Sequence, residues 1–387
     1  MIQIKLLERS CDCCGGNDLE EVWRYSRQAK TRNNDFNWEV RNVVCRSCGF
    51  AFVSPSPAEE DLEKYYRESY SIFSGQEIDY SIDKRMHVIE KYLEKTGADS
   101  YIEIGSNDCP EFLSLLGNHF NRVETVDLNS SCNTTYHSLQ EIPRESADII
   151  ASYFALEHVP RPVDFLISCY NIIKNDGFII LEVPNLYLYP KDPSGLFLHE
   201  HVNHFSPRSL AALAEKCGLN LIYVSQEYCS RPFGFVAVFK KIDDFNISDI
   251  NIDPTEFIYA KSCVLEGSYK IKRFFEDLEV AREKIKSVSE KEEGSVIVWC
   301  ANIICLMLLE GFNVPPSVIF IDSDPRKKDY LHPFKVIEPK RAIQQIAQTD
   351  LLIINSKLHS SSIRKWIAEN CNRHFSEKEM VILDFIS

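Results

Sequence analysis

Apolar residues along this chain follow two spacings. Short unbroken runs occur at Tyr101–Ile104, Val123–Val126, Ala147–Tyr153, Phe178–Val183, Leu219–Val224 and Phe233–Lys240. Further runs occur at Val296–Trp299, Val318–Ile321, Asp350–Asn355 and Met380–Phe385. They are rich in β-branched and aromatic residues, which suits strands buried on both faces. Between them apolar residues recur every three or four positions, as helices require. Met86, Ile89, Tyr92 and Leu93 mark a helix that starts at Ser81 or Asp83, runs to Glu94 and ends at Gly97. Phe112, Leu113, Leu115 and Leu116 follow Pro110, an acceptable first-turn proline. Pro162–Ile173 and Pro207–Lys216 read as helices, the second capped by Ser206. A long helical pattern covers Thr255–Lys291, and a short one Ile303–Glu310.

Strands alternating with helices predict an α/β protein with a mainly parallel, doubly wound central sheet and a smaller Rossmann-like sheet behind it. The expected division is a metal-binding segment over 1–58, a helical connector over 59–95 and the main α/β domain over 96–242. A linker with the long helix over 243–293 and a C-terminal α/β domain over 294–387 complete it. One link is short. After Asp127 a complete doubly wound unit needs a helix and a third strand, yet only Leu128–Arg144 precedes the next run. That leaves room for a short turn or strand.

Composition narrows the function. With 44% hydrophobic residues and a net charge of −14, the chain is globular and poorly suited to nucleic acid or an anionic membrane. No run approaches a membrane span, and the N-terminus lacks a signal-peptide pattern, so a cytoplasmic protein is expected.

The cysteines add specific chemistry. Cys11-x-x-Cys14 and Cys45-x-x-Cys48 are each followed by glycine, Gly15 and Gly49. Paired knuckles of this kind set four thiolates around one structural Zn²⁺, which would supply folding energy to a unit too small for its own core. Cys13 is a rival ligand to Cys14, and a redox dithiol is the competing reading. It is weaker because two separated pairs are present with no βαβ pattern around either.

Polar residues gather at the carboxyl ends of the central strands, where ligands sit in open α/β sheets. Tyr101-Ile102-Glu103-Ile104 runs into Gly105, Ser106, Asn107, Asp108 and Cys109, then into a helix. A strand, glycine turn and helix start make a site for a polar cofactor, and Asp127 after the next strand suits ribose hydroxyls. His158 and Asn185 end later strands. A loop dense in ionisable groups, His199-Glu200-His201-Val202-Asn203-His204, precedes Ser206. The H-E-x-x-H zinc spacing is absent from it. A loop histidine beside a carboxylate is a proton acceptor; alternatively it holds loop backbone through hydrogen bonds.

Taken in order, these features resemble a known family. A four-cysteine zinc knuckle, a Tyr-rich connector, an E-I-G-S-N-D turn, E-H-V-P and E-V-P-N strand ends and an H-E-H loop together resemble sugar C-methyltransferases. Those enzymes act on nucleotide-linked keto-deoxysugars with S-adenosylmethionine (SAM), and the likeness spans nearly the whole chain. It implies that Gly105, Asn107, Asp108 and Asp127 hold SAM. It implies a proton abstraction beside a ketone, with His201 as base, Glu200 as its orienter and His158 or Tyr70 as the oxygen-side donor. The small-molecule partner would be a nucleotide sugar. The chain departs from the pattern in four respects. Cys109 replaces a glycine, the stretch after Asp127 is shortened, Leu198 replaces a tyrosine, and Cys300 and Asn302 stand where relatives carry glycine. The departures leave an alternative: a methyltransferase-like protein that no longer methylates and binds a sugar nucleotide or a protein.

Overall fold

The structure is a computed structural model. It describes residues 2–30, 35–62, 64, 81–105, 110–127, 133–198, 200–242, 253–309, 311–329, 331 and 333–384. The chain divides into two compact units, Met1–Ser268 and Tyr269–Ser387. The boundary falls inside one 36-residue helix, Pro254–Ser289.

Among the described residues the first unit holds two main sheets, besides a two-stranded pairing of Leu6–Leu7 with Ser56–Pro57. The smaller is built on a hairpin of Leu19–Lys30 and Asp35–Cys45, longer than the apolar pieces visible in the sequence. Ala51–Val53 adds to Asp35–Cys45, and Asn203–His204 adds to Ala51–Val53. A loop from far along the chain thereby becomes the last strand of the N-terminal sheet.

The larger sheet has six strands in the order Leu219–Ser225, Gly234–Lys241, Ile173–Pro184, Ala147–Tyr153, Ser100–Ile104 and Arg122–Val126. The last four run parallel, and Gly234–Lys241 lies antiparallel between its two neighbours. Alternate side chains of each strand enter opposite cores. Tyr101, Ile149, Ala151 and Tyr153 pack beneath the helix Ile82–Thr96 with Met86, Ile89 and Tyr92. Ile102, Ile104, Ile150 and Leu181 pack on the other face with Phe165, Leu166 and Leu210. Phe50 and Phe52 of the knuckle sheet join that second core, and the Phe50 ring lies 5.4 Å from Phe52 and 5.7 Å from Phe205. The small N-terminal sheet therefore has no core of its own on this face.

The short crossover after Asp127 has a visible consequence. Outside Arg122–Val126 the sheet carries, among the described residues, a single bridge, Val126 to Tyr136. Tyr136 N donates to Thr125 O at 3.0 Å, and Asp127 N donates to Tyr136 O at 3.2 Å. The Tyr136 hydroxyl closes the stub by donating to Glu124 at 3.0 Å.

The second unit is a five-stranded parallel sheet, ordered Val336–Ile337, Val318–Ile321, Val296–Trp299, Leu351–Ile354 and Met380–Ile382. The order reverses beside its first strand, as in a Rossmann half. Cys300 ends that strand at φ 74°, a conformation that glycine adopts without strain. Asp322, which follows Val318–Ile321, is buried. Its Oδ2 accepts from Ala301 N at 2.8 Å and Lys327 Nζ at 3.2 Å, and its Oδ1 accepts from Asp324 N at 2.9 Å. The carboxylate is consumed in stitching two turns together, because a strained turn without glycine leaves amides that need an acceptor.

Gly49 shows how tightly the first unit is assembled. It has φ 75°, and a Cβ there would lie 2.6 Å from the Glu256 backbone carbon. Glu256 is itself buried, accepting from Tyr187 Oη at 2.7 Å and Ser206 Oγ at 2.6 Å. Gly49→Ala is therefore expected to lower unfolding free energy by about 2–4 kcal/mol, combining a left-handed backbone penalty with overpacking. Urea denaturation of both proteins measures it, and equal midpoints would contradict the contact.

Candidate active site

The knuckle anchors the loop that reaches the site. Gly15 at φ 76° and Gly49 at φ 75° turn each pair so that its glycine amide donates to the first cysteine's carbonyl. Gly15 N meets Cys11 O at 2.7 Å, and Gly49 N meets Cys45 O at 2.8 Å. The four sulfurs of Cys11, Cys14, Cys45 and Cys48 all lie within 4.8 Å of one another. Cys11 Sγ is 3.4 Å from Cys48 Sγ, and Cys14 Sγ is 3.5 Å from Cys45 Sγ. A tetrahedral ion with Zn–S bonds of about 2.3 Å needs sulfur separations of roughly 3.8 Å, so the four thiols fit zinc. Cys13 is buried beside the cluster and does not belong to that set of four.

Side chains tie this knuckle to the 201–204 loop. Arg9 reaches Val202 O at 3.3 Å and Asn203 Oδ1 at 2.8 Å, while its Nη2 also pairs with Asp12 at 2.5 Å. The Asn203 amide donates to Val159 O at 2.7 Å. His204 is fully enclosed, with Nδ1 2.9 Å from Tyr189 Oη and Nε2 2.8 Å from Asn42 Oδ1. Burial pushes its pKa down to about 3. This histidine holds backbone and sheet together, which is the structural alternative allowed for the loop.

Gly105 follows the strand Ser100–Ile104 at φ 77°, and a Cβ there would lie 2.8 Å from Ala155 Cβ. Its amide donates to Val126 O at 2.9 Å, which holds the turn against the neighbouring strand end where Asp127 stands. Asn107, Asp108, Cys109 and Tyr70 lie outside the described residues. Glu103 was passed over in the sequence. It is buried, and its Oε2 has no hydrogen-bond partner among the described residues. Burial raises its pKa to about 7, against the opposing pull of Arg85. A single carboxylate inside an apolar strand was the available signal. A buried acid with one oxygen unpartnered among the described residues, two positions before Gly105, fits the ammonium and hydroxyl groups of a bound SAM.

The densest chemistry lies at the end of Ala147–Tyr153. Phe154, at φ 54°, turns the chain into the short helix Leu156–His158. Glu157 is 1% exposed, and neither carboxylate oxygen has a hydrogen-bond donor among the described residues. Burial raises its pKa to about 8. Its Oε1 lies 3.9 Å from His158 Nε2 and 3.9 Å from His201 Nε2. The two imidazole rings meet edge to face at 4.6 Å. His201 Nδ1 lies 2.7 Å from Gly195 O. A carbonyl only accepts, so Nδ1 carries the proton and Nε2 presents a bare lone pair. Burial lowers the His201 pKa to about 4, so the ring is neutral at pH 7. Glu200, half-buried, neighbours His201 in the chain; the carboxylate between the two rings is Glu157. Nothing in spacing alone pointed to Glu157, since it reaches His201 only through the fold.

The site therefore presents two imidazoles, that of His201 neutral with a free basic nitrogen, around a buried carboxyl near Gly105. Such a set moves protons. Comparison with known proteins gives this chemistry a setting. A family model described as a methyltransferase domain matches residues 75–224. That stretch of the chain is thus similar to a methyltransferase domain. No curated protein matches the chain significantly. Similar solved structures include the 1,6-didemethyltoxoflavin-N1-methyltransferase of Burkholderia thailandensis, with bound 1,6-didemethyltoxoflavin and S-adenosylhomocysteine. It is 14% identical with a TM-score of 0.38, covering 50% of this chain and 96% of that one. A SAM-dependent methyltransferase from Archaeoglobus fulgidus is 19% identical with a TM-score of 0.32, covering 48% and 100%. One from Mesorhizobium loti is 13% identical with a TM-score of 0.34, covering 42% and 100%. The matched stretch contains Gly105, Asp127, Glu157, His158 and His201, and the knuckle cysteines lie outside it.

Two outcomes test the geometry. Purified protein should contain one zinc equivalent by metal analysis, and Cys45→Ser should lower both zinc content and thermal stability; less than half an equivalent in the native protein would count against the four-cysteine site. The second outcome concerns acid. His204 and His201 have folded pKa values of about 3 and 4, below the ordinary 6.5, so the native state binds fewer protons than the unfolded chain. Their contribution is complete above pH 6.5 and is lost as pH falls toward those values. Urea midpoints should fall between pH 6.5 and 5, with a shallower fall in His204→Gln; parallel slopes would remove His204 from that account.

Proposed function

We propose that this protein is a SAM-dependent C-methyltransferase acting on a nucleotide-linked keto-deoxysugar. One observation carries the reading: the bare Nε2 of His201, whose Nδ1 is held by Gly195 O, faces His158 and Glu157 within the stretch similar to a methyltransferase domain. Methylation of carbon needs a base able to take a proton from a carbon beside a ketone, and a donor for the oxygen that gains charge. His201 serves as the base. His158, the more exposed of the two rings, serves as the oxygen-side donor, a part shared in this proposal with Tyr70. Glu200 has the role of supporting His201. SAM, held by Gly105, Asn107, Asp108 and Asp127 with Glu103, supplies an electrophilic methyl group. The order of motifs from knuckle to H-E-H loop supports a sugar nucleotide as substrate.

No helix among the described residues is long and apolar enough to cross a membrane. The free thiols of the knuckle suit a reducing, cytoplasmic setting, which forms part of the proposal.

The shortened edge beside Asp127 favours one second reading, a domain that keeps the fold and has lost SAM-dependent activity. Calorimetry with SAM and S-adenosylhomocysteine separates the two: binding supports methyl transfer, and no heat at millimolar ligand sinks it. Given binding, mass spectrometry of nucleotide-linked keto-deoxysugars should show a methyl gain. His201→Ala should cut turnover by about 10²–10⁴-fold while S-adenosylhomocysteine affinity is kept. Turnover retained in that variant would take the base role from His201.

A further inference from the structure

Glu157 has no part in the roles just assigned, yet it is the group nearest to both ring nitrogens. Its two 3.9 Å separations run from the same oxygen, Oε1, to two different imidazoles. Closing either gap to a hydrogen bond takes a movement of about 1 Å. Burying a carboxylate without partners is expensive, so an ionised Glu157 would be a strange residue to place there. A protonated one costs far less and becomes useful when a positive charge appears beside it.

Resting on the proposed methyl-transfer reading, we propose that Glu157 is a positioning residue that stores a proton between His158 and His201. It releases that proton to His158 and remains as the counter-ion of the imidazolium formed on His201.

The proton count closes. His201 Nε2 takes the proton from the substrate carbon, and the C–H electron pair stays on the substrate. The O–H bond of Glu157 breaks, and its proton passes to His158, which hands one proton to the substrate oxygen. The substrate becomes its enol, His158 is neutral again, His201 is an imidazolium and Glu157 a carboxylate. Net charge inside the pocket is unchanged throughout, which matters in a low-dielectric site. Without Glu157 the imidazolium on His201 would stand buried and unpaired, and the buried ring resists that charge already.

The other groups that act on Glu157 set its balance. Arg231, between the last two strands of the large sheet, favours the carboxylate and disfavours protonated His201. Its guanidinium lies 4.6 Å from the Phe154 ring, at the turn that leads to Glu157. Tyr189, after the strand Ile173–Pro184, is held neutral by burial. His158 comes from the same turn as Glu157, and His201 from the loop pinned to the knuckle. Burial outweighs Arg231, leaving the carboxyl with its proton at pH 7.

The test uses the full zinc-loaded chain without substrate. Glutamate ¹³Cδ and imidazole ¹⁵N shifts are followed by NMR from pH 5 to 9. Glu157→Gln, His158→Gln and His201→Gln assign the signals. The expected result is a Glu157 carboxyl that titrates above pH 7 together with a step in the His158 nitrogens, a step absent from Glu157→Gln. Movement with His158 also separates it from Glu103, whose pKa is raised as well. Titration of Glu157 below about pH 5, as for an ordinary carboxylate, would overturn the proposal. So would histidine titrations that overlay in wild type and Glu157→Gln. If that variant fails to fold, the wild-type spectra still decide, since no glutamate moving in step with a histidine above pH 6 overturns it too. Normal SAM binding with uncoupled titrations removes the Glu157 role alone. Absent SAM binding with coupled titrations removes the methyl-transfer reading and leaves the shared proton.

Discussion

The first unit depends on a strand pairing of two residues. Asn203 and His204 pair with Phe52 and Ala51, so the loop that carries His201 is an edge strand of the zinc-knuckle sheet. Val53 N adds a bond to Val202 O at 2.9 Å. The side chains of the pair point to different partners: Asn203 holds Val159 O behind the Glu157–His158 turn, and His204 bonds Asn42 inside the knuckle sheet. One dipeptide thus connects metal site, loop and strand end. An ion held by the four thiols would stabilise the proton-moving groups through this connection, since metal binding couples to the folding of the segment that carries the ligands.

Around that junction the polar groups are handled in two ways. Some are satisfied completely. Glu256 accepts from Tyr187 and Ser206, Ser206 and Ser209 complete a capping box, and both nitrogens of His204 have partners. These hold structure, and each satisfied bond adds about 1 kcal/mol while forbidding alternatives. Others are left short. Glu103 Oε2 and both Glu157 oxygens are buried without hydrogen-bond partners among the described residues. Both acids stand at carboxyl ends of parallel strands, and both have raised pKa values. Incomplete polar satisfaction concentrated where a cofactor and substrate would enter is a mark of function.

The two α/β units use the same strand-turn-helix device with different results. Gly105 occupies the left-handed position of its turn, and Glu103 two residues before it keeps one oxygen without a partner among the described residues. In the second unit Cys300 occupies the left-handed position, Asp322 binds the Ala301 amide, and the Asn302 side chain bonds Asn355 O at 2.6 Å and Cys305 N at 3.2 Å. The amides that such a turn offers to a phosphate are taken by the protein's own side chains, so this turn serves the fold.

Much of the architecture could be read from spacing, because strand and helix periods depend on local geometry. Strand runs, the Ser206 cap, the Gly97 stop at φ 57° and the paired knuckles are all local signals, and the chain folds accordingly. The shortened crossover was legible as a missing length and emerged as the single Tyr136 bridge. What the sequence by itself determined was therefore the elements, the four thiols and the list of ionisable groups at strand ends. Only the tertiary structure decided that His204 is a brace while His201 keeps a free nitrogen, and that Glu157 stands between two imidazoles. It also decided that Asp322 is buried. Protonation and partnership depend on which segments pack together, across separations such as the 44 residues between Glu157 and His201, and no local period encodes that.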